Sequence, residues 1–372
     1  MHLNFRGVND SFQALVEGIH KESIKTVRSP SRVGGVLQIP DPVTLTYSKP
    51  LERVLFNSVR DCNPFFHVYE ALWMLAGRND IAPLDYYSSG YGKQVRDGDS
   101  TVANGAYGYR WREADVLDED VKYVDQLNII INHLRAKPES RRAVLSMWNV
   151  EDDLLKIDSS RDVCCNLSVC FSTRKVADAN SACFGTPCPQ VLDMTVFNRS
   201  NDLIWGNLGA NFVHFTMLQE YMACCLGVGM GEYHQISNNL HCYTERWTPE
   251  EWLADRSGGY IPAFRHIPLV RDQEMFDVEV QDFVTMNSQL PETLVDDHWA
   301  EPFLGDVAQP MMNAFHCHKE RKYAEALGWA RSIGADDWMK AATEWIQRRR
   351  HNWEKKNAND RASFDAMSNQ QA

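Results

Sequence analysis

The residue best placed for covalent chemistry is Cys165, in the run Asp162-Val163-Cys164-Cys165-Asn166, where polar residues flank two thiols at the mouth of an apolar stretch. Most cysteines in buried strands are inert small hydrophobes. A thiol becomes a competent nucleophile when a cation lies close and solvent has access. Arg141-Arg142 precede one alternating segment and Arg199-Ser200-Asn201-Asp202 follow another, so both groups fall at strand ends, where ligands dock. Arginine forks match phosphate oxygens better than lysine does, although either group alone reads equally well as surface salt-bridging residues. Glu70 interrupts the apolar series Phe66, Tyr69 and Trp73; burial there would raise its pKa toward acid/base duty. Asn211 interrupts Leu208, Ala210, Phe212, Val213 and Phe215, and a side-chain amide offers a ring amide both a donor and an acceptor.

Several elements must position these groups. Phe66, Tyr69, Trp73 and Ala76 share one face of a helix that Asn63-Pro64 opens and Gly77 stops. Residues 142–149, 165–171 and 192–199 are apolar on both faces and predict strands inside a covered sheet. Ala210 to Leu226 predicts a long helix, and residues 10–25 a surface helix. Residues 29–50, with four prolines and two glycines, predict loops and short strands. Gly227-Val-Gly-Met-Gly231 follows a helix and reads as a chain reversal rather than a nucleotide loop. Beyond about 262 the texture changes: 272–306 is acidic and turn-rich, 307–329 and 336–355 are amphipathic and helical, and 357–372 reads as a disordered tail. The expected organisation is a catalytic domain over 1–262 with a helical extension over 263–356 packed on it. Arg348-Arg349-Arg350 reads as the solvated end of a helix.

Composition narrows the function further. The net charge of −12 disfavours a nucleic-acid-binding surface, yet a few placed arginines suffice for an anionic small molecule. Ten cysteines, two adjacent pairs among them, read as free thiols. Neither Cys183/Cys188 nor His316-Cys317-His318 has structural-zinc spacing, so no metal is expected. There is neither a signal-like start nor an apolar run of membrane-spanning length, and a soluble, cytoplasmic protein without a membrane partner is expected.

Five ordered stretches carry a resemblance: Glu70-Ala-Leu-Trp-Met-Leu-Ala-Gly77, Tyr107-Gly-Tyr-Arg-Trp111, Ser140-Arg-Arg-Ala-Val-Leu-Ser-Met-Trp-Asn149, Arg199-Ser-Asn-Asp202 and His241-Cys-Tyr243. Over roughly residues 26–250 the chain resembles the thymidylate synthase and pyrimidine hydroxymethylase family, nearest its phage-type members. The resemblance implies an α/β (α+β) fold with a large mixed sheet flanked by helices, packed sheet to sheet in an obligate homodimer. It implies a pyrimidine nucleoside monophosphate as substrate and 5,10-methylenetetrahydrofolate as co-substrate. Cys165 would attack C6 of the ring, splitting one hard step into two easier ones. Arg32, Arg199 and Ser200 would hold the 5′-phosphate, with Arg141 and Arg142 reaching the partner subunit's phosphate. Asp202 would orient the folate or ordered waters, His241 and Tyr243 the sugar, and Asn149 the water network. Glu70 would serve proton transfer, and Tyr107 would position the nucleophile.

The chain departs from the family pattern in ways that bear on the product. Pro-Cys-His becomes Cys164-Cys165-Asn166, and a glutamine becomes Cys170; two further thiols thus stand near the role, with the register favouring Cys165. The tryptophan-rich segment beside the folate reads Leu84-Asp-Tyr-Tyr-Ser-Ser-Gly90, and a long extension replaces the short apolar C-terminus that closes the synthase site. Both changes favour water over hydride as the last reagent. Asn211, where cytosine-specific members carry aspartate, favours uracil, although Leu208-Gly209-Ala210 replaces the usual run before it. The expected reaction is hydroxymethylation of dUMP. Its alternatives are reductive methylation to dTMP, hydroxymethylation of dCMP or CMP, and a catalytically silent nucleotide-binding homologue.

Overall fold

The computed structural model describes residues 1–32, 34–118, 121–176, 182–183, 186–261, 264–289, 294 and 298–369, with side chains left aside in 114–122, 182–187 and 359–369. Its principal strands are β1 His2–Phe5, β2 Val27–Ser31, β3 Gly34–Gln38, β4 Val43–Tyr47, β5 Val144–Ser146, β6 Asn166–Lys175, β7 Gln190–Asn198, β8 Asn201–Asp202, β9 Gly229–Ser237 and β10 Leu240–Tyr243. A six-stranded sheet runs β1-β4-β9-β7-β6-β5, and a four-stranded sheet runs β8-β10-β3-β2. Parallel pairs (β1/β4, β7/β9) and antiparallel pairs (β4/β9, β6/β7, β5/β6) make the large sheet mixed. The expected α/β architecture is present.

Two helices form the layer that carries the site. In α1 (Val8–His20), Phe12, Leu15, Val16 and Ile19 are buried, but the helix ends at Lys21 rather than continuing to 25. In α2 (Pro64–Leu75), Asn63 Oδ1 accepts from the amides of Phe65 and Phe66 at 3.1 Å each, satisfying donors that a helix start leaves open. Almost every α2 side chain is buried, Glu70 among them. Helix α3 (Ala210–Leu226) has no polar side, because it is wedged between α2 and the sheet strands β7 and β9. Gly108 has a packing duty: a Cβ there would stand 2.1 Å from the Met74 carbonyl oxygen, so only glycine lets the Tyr107–Arg112 turn lie against α2.

Further expectations are corrected. Residues 142–149 do not form a covered inner strand: β5 has three residues at the sheet edge, with Leu145 buried and Val144 46% exposed. As the edge strand it pairs, among the described residues, only with β6. The stretch 272–306 is not turn-rich throughout, since α4 (Gln273–Met286) occupies it, capped by Asp272. Finally, 307–329 is broken into α5 (Gln309–Lys319) and α6 (Tyr323–Arg331) at Arg321, whose φ is 63°. Helix α7 runs from Asp336 to Asn369, so the backbone of 357–369 is helical where disorder was expected; 370–372 lie outside the described residues.

Residues 262 and 263, where the domain boundary was placed, are also outside the described set. The elements after them share the main core: Phe276, Phe283, Met311, Phe315 and Trp345 are buried in one cluster with Tyr69, Trp73 and Leu218. A buried ion pair helps join them. Glu220 on α3 receives Arg53 at 2.6 Å, His266 at 2.8 Å and the Leu269 amide at 3.0 Å. Burial alone would raise the Glu220 pKa, but Arg53 and His266 outweigh it and hold the carboxyl down to about 2. The carboxylate therefore contributes stability above its unfolded pKa, and that contribution is lost as pH falls through the folded value. Glu220→Gln is expected to cost about 3 kcal/mol at neutral pH. In urea titrations the gap from the parent should narrow as pH falls from about 4.5 toward 2; a constant gap would contradict the assignment.

Candidate active site

Cys165 lies one residue before β6, so its backbone is held by neighbours rather than by the strand ladder. Arg199, just past β7, donates from Nε to the Cys164 carbonyl and from Nη2 to that of Val163, each at 2.8 Å. The same Nη2 stands 3.6 Å from Cys165 Sγ. The two vicinal cysteines both border the same cavity but differ in exposure. Cys164 is buried, its Sγ donates to the Asn166 carbonyl at 3.0 Å, and burial pushes its pKa up to about 12. Cys165 is half-buried and lines a cavity of about 440 Å³. Burial raises its pKa too; Arg199 and Arg32 oppose that rise and Asp162 adds to it. Cys170 sits within β6, opposite Thr195 and Val144, and outside this cavity. Asn166 is also buried, donating to the Phe197 carbonyl at 3.1 Å and so tying β6 to β7.

The cavity walls come chiefly from α2 and α3. Glu70, Tyr107, Asn211 and Cys165 all line it, so four residues drawn from separate sequence stretches do converge. Asn211 Nδ2 donates to Asn201 Oδ1 at 3.2 Å. Burial lifts the Tyr107 pKa well above its ordinary value, with the Cys165 thiol adding to the effect. Asp162 accepts the Gly105 amide at 2.8 Å beside them. Sequence reasoning missed several neighbours. His214 is one helical turn beyond Asn211, and its Nε2 is 3.1 Å from Glu70 Oε2. His67 is one turn before Glu70, with its ring centroid 6.4 Å from that of His214. Burial, with His214 and Arg60 nearby, lowers the His67 pKa well below the usual histidine range, so this ring stays neutral. Tyr91 also borders Glu70 and completes the wall with Phe66, Trp73 and Met74.

A second cavity of about 490 Å³ adjoins the first, sharing Gln94, Trp205 and Arg246 with it. Arg32, Asp202 and Tyr243, singled out from sequence for separate roles, line it together with Lys93 and Arg161, which were not singled out. Four cationic side chains around one space suit a phosphate. Arg32 is oriented by donation to the Arg161 carbonyl at 2.7 Å. Trp205 is flanked by Arg60 and Arg246, whose guanidinium carbons lie 3.6 and 5.2 Å from its ring centroid. Asp202 Oδ1 accepts the amides of Ile204 and Trp205 at 2.7 and 2.9 Å; burial nonetheless raises its pKa. His241 pairs with Asp202 across β10 and β8, accepts no direct place in the lining, and is steered by Asn239 at 3.0 Å.

Three groups are not gathered in. Arg141 and Arg142 are exposed on the approach to β5 and line neither cavity. Ser200 is half-buried between Arg199 and Asn201 without lining either cavity. Asn149 caps the short helix Val150–Leu154 through the Glu151 and Asp152 amides and lines a separate space of about 390 Å³. Its link to the site is indirect: Asp153 accepts both the Asn149 and the Cys164 amides at 2.9 Å. Among the described residues no cluster of histidine, cysteine and carboxylate side chains could hold a metal ion, and no helix is long and apolar enough to cross a membrane.

Comparison with known proteins gives a consistent picture. Residues 52–294 match the family model described as thymidylate synthase. Deoxyuridylate hydroxymethyltransferase of Pseudomonas phage M6 is 38% identical over 370 residues, covering 96% of this chain and 97% of that protein. The protein of the same name from Bacillus phage SP01 is 31% identical over 326 residues, covering 82% of this chain and 80% of its own.

The burial of Cys165 sets a chemical expectation. Because its pKa is raised, little thiolate exists at neutral pH in the free protein. Peptide-mapped alkylation by iodoacetamide should be slow at pH 7.5 and climb beyond the ordinary thiol range of about 8.5. Arg199→Met should slow it further; a labelling midpoint below about 8 would contradict this account.

Proposed function

We propose, on the premise that this chain belongs to the thymidylate synthase family, that it transfers a hydroxymethyl group to C5 of dUMP. The observation that carries the reading is the meeting of a cysteine-bearing cavity with a cation-lined one, in a chain matched along nearly its whole length by phage deoxyuridylate hydroxymethyltransferases. The nucleotide's phosphate occupies the cationic cavity with Arg32, Arg161, Lys93 and Arg246, and its ring reaches Cys165 past Trp205. Arg199 and Ser200 line neither cavity, and the Arg199 guanidinium lies instead against the Cys165 sulfur. Asp202, His241 and Tyr243 border the sugar.

The thiolate of Cys165 adds to C6, which makes C5 nucleophilic. Tyr107 and Arg199 orient the sulfur, and Glu70 handles protons at the opposite wall. Phe66, Trp73, Met74 and Tyr91 form an apolar, largely aromatic wall that suits a flat heterobicyclic ring beside the pyrimidine. A reduced folate, 5,10-methylenetetrahydrofolate, supplies there one carbon at the oxidation level of formaldehyde. Arg141 and Arg142, exposed and outside both cavities, are available to the phosphate of a partner subunit, which supports a homodimer as the active unit. Asn149 acts at one remove, by fixing the loop that ends at Cys164.

Uracil is favoured over cytosine by Asn211. One N–H of its amide is engaged by Asn201, leaving a second N–H and the carbonyl oxygen for O4 and N3–H of uracil. Cytosine presents the reversed pattern. With dUMP and dCMP supplied side by side, the expected product is dUMP heavier by CH2O, formed with tetrahydrofolate; appearance of dihydrofolate and dTMP would sink the reading. Asn211→Asp is expected to move the ratio of kcat/KM toward dCMP by at least about tenfold, and an unchanged ratio would remove Asn211 from the choice of base.

A further inference from the structure

Among the described residues, the buried His214 ring has no hydrogen bond to account for it, while its neighbour Glu70 also faces Tyr91. The Glu70 and His214 side chains are almost wholly buried, at 6% and 2% exposure. Glu70 Oε2 stands 3.1 Å from His214 Nε2, close enough for charge attraction but off the line of a hydrogen bond, and neither ring nitrogen has a hydrogen-bond partner among the described residues. Buried polar groups are normally satisfied, and those that are not call for a function or a bound molecule. Here both residues line the cavity that holds Cys165. Asn211 and His214 lie one turn apart on α3, and His67 and Glu70 one turn apart on α2, so each helix turns a polar pair toward the same space. The second histidine of the group, His67, is the weaker base, since burial and the nearby Arg60 disfavour its protonated form.

We propose that His214, backed by Glu70, is the general base that activates the water completing the reaction; the inference rests on the hydroxymethylation reading above. Once the one-carbon donor has departed, the pyrimidine carries an exocyclic methylene at C5 and the Cys165 sulfur at C6. The water oxygen bonds to the methylene carbon while His214 Nδ1 takes the water's proton. The electrons of the exocyclic double bond move into the ring as the C4 enolate. Collapse of that enolate re-forms C5=C6, breaks the C6–S bond and returns Cys165 as thiolate. Glu70, facing the other ring nitrogen, stabilises the imidazolium that forms, as a carboxylate does in other His-containing catalytic sets. A base poised on water gives this site a reagent that hydride transfer does not need.

The test follows two rates within a single turnover, with enzyme in excess over nucleotide: tritium release from 5-tritiated dUMP, which precedes water addition, and formation of 5-hydroxymethyl-dUMP. In His214→Gln, product formation should fall about 100-fold while tritium release changes less than about threefold, the size expected for loss of a general base. The ratio of the two rates does not depend on how much of the variant is folded, and His214→Asn gives a second reading. Parallel loss of both rates, or loss of neither, overturns the proposal. If the parent protein instead makes dTMP and dihydrofolate, the hydroxymethylation reading fails first. A parent that makes the hydroxymethyl product while the variant's ratio stays unchanged defeats this inference alone.

Discussion

The segment that bears Cys165 enters the sheet under the control of one guanidinium. Arg199 follows β7, yet its forked donors close on the carbonyls of Val163 and Cys164, across the β6/β7 pair, and leave the same nitrogen against the Cys165 sulfur. Everything else at the site is arranged about this tie. The loop upstream is fixed from its other end by Asp153, which receives the amides of Cys164 and Asn149 and sits against Arg110. Asn166 then joins β6 to β7 where the register shifts at Asn198. Charge-assisted bonds to main-chain carbonyls are among the stronger ones a protein makes, so the thiol is placed by geometry that side-chain repacking elsewhere does not disturb.

The placement sets two effects against each other. Excluding water from a reacting carbon protects an electrophilic intermediate and strengthens each charge in the site. The same exclusion disfavours the thiolate, and at Cys165 it prevails over the opposing cations Arg199 and Arg32. Cys164, one residue earlier, is almost wholly buried, and that burial holds it protonated. Burial thus raises the pKa of both thiols, and what sets Cys165 apart is its greater exposure and the guanidinium against its sulfur.

Much of this was legible in the residues, for reasons that differ from element to element. Helix α2 was readable because Asn63-Pro64 is a start signal and Gly77 a stop, and α3 because its apolar run is long. Residues 142–149 alternate as an inner strand would, but neighbours decide coverage, and β5 turned out to be an edge. Helix α4 was hidden by acidic residues that occupy its solvent side, although Phe276, Val280, Phe283 and Val284 have helical spacing. At the site, motif residues were found and their supporters were not. His214 lies in a helix buried all round, where periodicity carries no information; the repeated one-turn spacing of Asn211/His214 and His67/Glu70 was the available signal. Lys93 in the short helix Tyr91–Val95, Arg161 and Arg246 at the end of the turn Thr244–Arg246 are far apart in sequence, and only folding brings them to one cavity. Asn149 stands in a matching motif, yet its amide serves a helix start.

The final helix is often where a chain of this size tolerates change, but α7 is tied to the cleft. Asp61, a lining residue of the Cys165 cavity, adopts φ 52° and is held from α7 by Arg348 at 3.0 Å and Arg349 at 2.7 Å. Its left-handed backbone is unfavourable for a residue with a side chain, and the two arginines help to hold it there. In evolutionary terms the extension and the cavity cannot drift apart as separate modules. A substitution at Arg348 or Arg349 is read out at Asp61, between Arg60 and Cys62.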